Sequence, residues 1–115
     1  MKISLATLAI VMILTALGCD AITGASNITY RITGTATRVS VTYEAEGGTE
    51  QIASISLFPW TYSRRAERGD FLYVSAQIVG GTGSVTVTID KGGSVFKTAT
   101  SSGFASIATA SGILD

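Results

Sequence analysis

Hydrophobic and polar side chains alternate along much of the chain from Asn27 onward. A two-residue repeat with one apolar face is typical of β-strands that bury one side and expose the other. The alternating apolar positions are Ile28, Tyr30, Ile32, Val39, Val41, Tyr43, Leu72, Val74, Ala76, Ile78, Val85, Val87 and Ile89. They predict four half-buried strands, and they place Phe71 and Tyr73 on the face opposite Leu72 and Val74.

Weaker patterns predict the other strands. The apolar spacing changes from two to three between Ile52 and Ile55, which indicates a β-bulge. Pro59 comes just before a short segment that we interpret as an edge strand, because proline is confined to the edges of sheets. These additional segments are 50–57, 60–64, 94–100 and 104–110.

Glycine-rich turns separate several of these segments, at 47–48, 80–83 and 92–93. Seven or eight short strands with no helix between them predict an all-β antiparallel domain, either a sandwich or a small barrel. The composition agrees, since Thr, Val, Ser and glycine are abundant and there is a single proline. We expect a helix only in the N-terminal signal.

The N-terminus has the layout of an export signal. Lys2 is followed by an uncharged, mostly apolar run from Ile3 to Gly18, and Cys19 comes next. As a helix this run spans about 24 Å, which is short for a transmembrane anchor across a core of roughly 30 Å. A signal peptide at 1–18 is therefore favoured over a permanent membrane span.

The segment Thr15-Ala16-Leu17-Gly18-Cys19 resembles a bacterial lipobox, in which the cysteine is acylated and becomes the new N-terminus. A lone reactive thiol is a liability in an exported protein, and acylation removes it. The alternative is an ordinary secreted protein with a stray cysteine. We expect a lipidated Cys19 and a short tether at 19–26, followed by one domain at 27–113. We expect the lipid to anchor the protein to the outer face of the cytoplasmic membrane, or to the outer membrane where sorting allows.

Composition narrows the chemistry further. The chain has one cysteine and no histidine, so structural zinc sites, Cys-His catalysis and Ser-His-Asp catalysis lack their side chains. Eight basic and eight acidic residues balance, and loss of Lys2 with the signal leaves a net charge of −1. Nucleic-acid binding requires a basic surface instead. We expect no catalytic residue, no metal and no cofactor.

With the strands placed, the order of five short motifs resembles the extracytoplasmic domain of mycobacterial MmpS proteins. The motifs are Ile28-Thr29-Tyr30-Arg31-Ile32-Thr33-Gly34, Val41-Thr42-Tyr43, Phe58-Pro59-Trp60, Ser75-Ala76-Gln77 and Ile89-Asp90. The resemblance implies an Ig-like β-sandwich and a role as an accessory subunit of RND-type exporters of lipids and siderophores.

Two departures from that family matter. A lipobox stands where the family has a transmembrane helix, and the cysteine pair of the family domain is absent. By alignment those cysteines fall near Val85 and Ile107, both apolar, so we expect core packing in place of the cross-link.

One charge-dense segment is the candidate partner-binding site. Arginine beside exposed aromatic side chains is the composition of interface hot spots. The candidate residues are Arg64, Arg65, Arg68, Phe71 and Tyr73. The alternative is a solvated loop with internal ion pairs and covered aromatic rings. Trp60 we interpret as a core residue.

These observations favour a membrane-anchored, non-catalytic accessory or binding domain. The partner is an envelope protein such as an RND transporter, or an amphiphilic cargo. The alternative is a structural or surface-display lipoprotein, phage-encoded or adhesive, with no transport role. An enzyme is disfavoured because the acid-base inventory is so small.

Overall fold

The computed structural model describes residues 25–115, so the predicted signal helix and Cys19 lie outside the described residues. Within this range the chain forms eight β-strands and no helix. In chain order they are β1 (Ser26–Gly34), β2 (Arg38–Ala45), β3 (Gly48–Ile55), β4 (Trp60–Ala66), β5 (Phe71–Gly80), β6 (Ser84–Lys91), β7 (Ser94–Ser102) and β8 (Ile107–Ile113).

The strands pair into two four-stranded antiparallel sheets that face each other. Sheet 1 has the order β4-β1-β6-β7, and sheet 2 has the order β3-β2-β5-β8. The β2–β3 and β6–β7 connections are hairpins, whereas the other five connections cross from one sheet to the other. The prediction of an all-β antiparallel sandwich of seven to eight strands is confirmed.

The four strongly alternating segments form the inner strands β1, β6, β2 and β5. Their apolar side chains point between the sheets, where Ile28, Tyr30 and Ile32 are completely buried. An inner strand has a neighbour on each side, so its whole inward face is covered and the two-residue pattern is preserved. The weakly patterned strands β3, β4, β7 and β8 lie at the edges, as we predicted for the segment after Pro59.

The predicted bulge is present in β3. Val39 of β2 pairs with Ile55 and Val41 pairs with Ile52, so three steps along β3 oppose two steps along β2. The extra residue lets both isoleucines point inward despite their spacing of three.

The last strand differs from the prediction. β8 begins at Ile107 and not at Phe104, which lies exposed in the preceding turn. Ile107 is 55% exposed, so the expectation that it packs in the core in place of a family cysteine is wrong. The expectation holds for Val85, which is completely buried.

The sheets lie closest together on the side of β8, where Cα atoms of β8 come within 8 Å of those of β6 and β7. Small inward residues permit this approach: the Phe96 ring of β7 comes within 3.0 Å of the position that a Cβ on Gly112 would take. Near β4, aromatic rings occupy the space between the sheets. The Tyr43 ring centroid lies 5.2 Å from Trp60 and 4.8 Å from Tyr62. Trp60 is only half-buried and packs against the core from this edge.

The strands begin and end at two opposite ends of the sandwich. We call the end that contains Ser26 the tether end, because β1 begins there. Ser26 pairs with Ala66, and the backbone N–H of Gly92 donates to the carbonyl of Asn27 at 2.9 Å. The turn at 67–70 therefore lies at the tether end, as does the start of β5.

Candidate functional site

The five candidate residues occupy the end of β4, the following turn and the start of β5, but they do not share one surface. Arg65 points outward from sheet 1, and Arg68 is exposed in the turn. Phe71 and Tyr73 point outward from sheet 2, on the face opposite Leu72 and Val74, as predicted. Arg64 points inward, in phase with the buried Ala66.

Arg64 connects the two sheets from inside. Its side chain is only 8% exposed. Its Nη1 donates to the carbonyls of Glu44 at 3.3 Å and Ala45 at 3.5 Å, at the end of β2. Its Nη2 lies 3.3 Å from Oδ2 of Asp70. The guanidinium therefore satisfies backbone acceptors where β2 ends, and little of it is available to a partner.

Asp70 orders the turn between β4 and β5. Its carboxylate accepts the backbone N–H of Glu67 at 2.9 Å as well as the Arg64 contact. Backbone bonds tie the same turn to the end of the chain, because Leu114 donates to the Asp70 carbonyl and accepts from Gly69. The charge-dense segment is thus a well-connected turn, and Phe71 emerges from it in a defined direction.

Phe71 forms an exposed apolar corner with a residue that sequence reasoning missed. It is 47% exposed, and its direct cross-strand partner Ile113 is 57% exposed. The ring centroids of Phe71 and Tyr73 are 6.0 Å apart. Because we expected the last strand to end at Ala110, Ile113 was not assigned to a sheet. The sequence pattern that could have placed Ile113 in a strand is the alternation of small inward residues with larger outward ones along β8.

The corner belongs to a wider surface without charge, which we call the neutral face. It consists of the outward-pointing residues in the stretch where β5 pairs with β8, namely Phe71, Tyr73, Ser75, Gln77, Ile107, Thr109, Ser111 and Ile113. Their polar atoms are partly satisfied among themselves. Oγ of Ser75 lies 3.0 Å from Oγ1 of Thr109, and Nε2 of Gln77 donates to the Ala105 carbonyl at 3.2 Å.

The outer face of sheet 1 has a different character. Threonine and serine dominate it, and cross-strand hydroxyl pairs such as Thr86–Thr100, at 2.9 Å, connect its strands. An ion pair lies near its centre, with Nη2 of Arg31 at 3.1 Å from Oδ2 of Asp90. A charged, hydroxyl-rich face is readily solvated, so the neutral face is the better candidate for an interface.

Two buried tyrosines stabilise the interior beneath these surfaces. The Tyr30 hydroxyl donates to the Glu44 carbonyl at 2.7 Å and accepts the backbone N–H of Tyr73 at 3.4 Å. Burial raises the pKa of Tyr30 above its usual value. Burial, followed by the nearby charge of Glu50, likewise raises the pKa of Tyr43. These groups are neutral structural elements at ordinary pH.

Concave sites are shallow in the described part of the chain. An open depression of about 440 Å³ is lined by Asn27, Thr29, Ser63, Arg64 and Arg65. Among residues 25–115, no three Asp, Glu, His or Cys side chains are grouped as metal ligands. The same residues include no helix that is long and apolar enough to cross a membrane.

Fold and surface together define the class of this protein as a small all-β sandwich with an uncharged, partly apolar surface on β5 and β8. Comparison of the chain with protein-family models finds no match. Comparison with curated proteins likewise finds none.

Proposed function

We propose that this chain is a bacterial lipoprotein whose β-sandwich is a non-catalytic binding domain. Acylated Cys19 holds it to the membrane, and the residues up to Ser26 are the tether. In this proposal the domain assists an envelope exporter of the RND type, which is the role implied by its resemblance to MmpS proteins. Resemblance is a safer guide to fold than to function, so the exporter is the part that most needs a direct test.

The observation that carries the binding role is the neutral face. Interface centres are depleted in charged residues and enriched in aromatic ones. The neutral face combines Phe71, Tyr73 and Ile113 with five other uncharged residues, and it lies on a rigid pair of strands. A flat sheet face of this kind suits contact with another macromolecule better than the enclosure of a small substrate.

The distribution of charge supports a non-catalytic role. The chain contains no histidine, the most common general acid or base. Asp90 and Asp70 each contact an arginine, Arg31 and Arg64 respectively. Each of these two carboxylates therefore has a structural partner within the domain.

Cross-linking capture from native membranes tests the exporter role. The tagged wild-type chain should capture a transporter of the RND type, and Phe71→Ser should reduce that capture while leaving the melting temperature nearly unchanged. Val95→Ser is the matched control, because Val95 is 62% exposed on β7 in sheet 1. Failure to capture a transporter, together with unchanged export in a deletion strain, would favour the structural or surface-display alternative.

A further inference from the structure

We propose that the open depression at the tether end of sheet 1 binds a phosphate group, supplied by a lipid headgroup or by soluble phosphate. The depression has a volume of about 440 Å³ and lies where β1 begins and β4 ends. Its lining residues are Asn27, Thr29, Ser63, Arg64 and Arg65. Their chemistry carries the phosphate site, and only the lipid source rests on the proposed anchoring.

Arg65 supplies the positive charge of the site. It is exposed and points outward from sheet 1. Within residues 25–115 its side chain makes one hydrogen bond, from Nη1 to Oδ1 of Asn27 at 3.4 Å, and it belongs to neither ion pair. Most of its N–H groups are therefore available to a ligand. A planar guanidinium can hold two oxygens of one phosphate at the same time.

The neighbouring side chains add uncharged donors. Oδ1 of Asn27 accepts from Arg65, which leaves Nδ2 as a donor without a partner in the described part of the chain. Oγ1 of Thr29 and Oγ of Ser63 are 3.0 Å apart. Only one hydroxyl hydrogen lies between two such oxygens, so the other hydroxyl can donate to a ligand. Strand pairing brings these donors together, because Asn27 lies opposite Arg65 and Thr29 lies opposite Ser63.

No negative charge in the lining opposes an anion. The five lining residues include no acidic side chain. Asp90 lies opposite Thr29 on β6, but its carboxylate is 3.1 Å from Arg31. The charge of Arg64 is already compensated by Asp70. One uncompensated positive charge beside several donors suits an oxyanion, whereas a cation would require acidic ligands.

The tether favours a headgroup as the source of the phosphate. Asn27 directly follows Ser26, the last residue of the tether, and the chain from Cys19 to Ser26 spans at most about 25 Å. The anchor therefore holds the depression close to the headgroups, where phosphate groups have a high effective concentration. The neutral face lies on the other sheet, so a phosphate bound to sheet 1 leaves that face accessible to a partner.

Thermal melting of the full chain in an uncharged detergent, followed by the fluorescence of its single tryptophan, tests the site. At about 100 mM inorganic phosphate, a Kd of about 10 mM raises the Tm by about 5 to 10 °C over chloride of equal ionic strength. Arg65→Gln should lose this rise. Arg68→Gln removes the same charge from an exposed position in the next turn and should keep it. Equal rises in all three chains would show a general salt effect and overturn the proposal.

A second pair of variants tests the position of the site. Asn27→Asp places a carboxylate beside Arg65 and should abolish the response to phosphate. Thr61→Asp is the matched control, because Thr61 is exposed on the same face of β4 but does not line the depression. Its response to phosphate should stay within about twofold of the wild type. Equal losses in Asn27→Asp and Thr61→Asp would contradict a site at the depression.

Vesicles identify the source of the phosphate. The full chain in phosphatidylcholine with added phosphatidylglycerol should melt higher than in phosphatidylcholine alone, and Arg65→Gln should remove this difference. A response to inorganic phosphate alone assigns the site to a soluble phosphate, and a response to neither probe overturns the proposal. The detergent measurement requires no acyl group on Cys19. Failure of the lipid anchor, seen in the intact mass, is therefore distinct from failure of the phosphate site.

Discussion

Replacement of Arg64 by methionine removes the guanidinium that joins the sheets and keeps most of the aliphatic stem. The variant loses two contacts to carbonyls at the end of β2, the Nε contact to the Arg65 carbonyl and the contact to Asp70. These contacts measure 3.3 to 3.5 Å, which is long, and Asp70 is 40% exposed, so its contribution is screened. Each contact contributes under about 1 kcal/mol, and leaving the carbonyls unsatisfied adds a further cost. We therefore expect Arg64→Met to lower the free energy of unfolding by about 2 to 3 kcal/mol.

Arg65→Met is the matched control. Arg65 is adjacent in sequence but points outward, and its side chain makes only a contact of 3.4 Å to Asn27. We expect its stability to stay within about 0.5 kcal/mol of the wild type.

Urea denaturation of residues 25–115, followed by the fluorescence of the single tryptophan, measures both variants. A loss of 2 to 3 kcal/mol corresponds to a fall in Tm of roughly 10 to 20 °C for a domain of this size. Equal effects of Arg64→Met and Arg65→Met, or an Arg64→Met variant as stable as the wild type, would refute the interpretation of Arg64 as an internal connector.

Further predictions concern the free energy of unfolding, measured by urea denaturation. Tyr30→Phe should lower it by about 1 to 2 kcal/mol because two backbone groups lose their hydroxyl partner. Tyr43→Phe, at a ring with no such bond, should lower it by under about 0.5 kcal/mol. Gly34→Ala should lower the free energy of unfolding by about 1 to 3 kcal/mol, because the φ of Gly34 is +154° and a Cβ there would collide with the Ser84 carbonyl. Gly47→Ala is the control in the same thermal melts, and it should be tolerated because no atom lies near its Cβ position. The pKa values of Tyr30 and Tyr43 are raised in the folded state, which therefore binds more protons than the unfolded state above about pH 10. Their contribution to Tm should be constant below that pH and fall above it, less steeply in Tyr30→Phe. Unfolding of residues 25–115 should be unaffected by reductant or EDTA; chelator-induced unfolding would contradict a metal-free fold.

The sequence pattern predicted the inner strands well for a physical reason. An inner strand of a sandwich buries one face along its whole length, so its alternation is complete, as in Ile28, Tyr30 and Ile32. The bulge was predictable as well, because only an inserted residue lets Ile52 and Ile55 point the same way.

The edge strand β8 was harder to predict because its pattern is inverted. Its inward positions are the small residues Ala108, Ala110 and Gly112, which fit where the sheets come close together. Its larger apolar residues, Ile107 and Ile113, point outward. A rule that assigns large apolar residues to the core therefore places this strand too early.

The candidate site was predictable only in part. The alternation around Leu72 correctly placed Phe71 and Tyr73 on an outer face. The position of Arg64 depends on its partners, which lie at the end of β2 and in the turn at 67–70, and no local pattern brings them together. A long side chain at an inward position looks like a surface residue until its acceptors are known.

The intact mass of the protein extracted from its own membranes tests the central claim most directly. Lipid anchoring predicts a chain that has lost residues 1–18 and gained the mass of fatty acyl groups on Cys19. Cys19→Ser should block this processing and leave the N-terminal residues in place. A soluble mature chain with a free Cys19 thiol would contradict the account of this protein as an anchored binding domain.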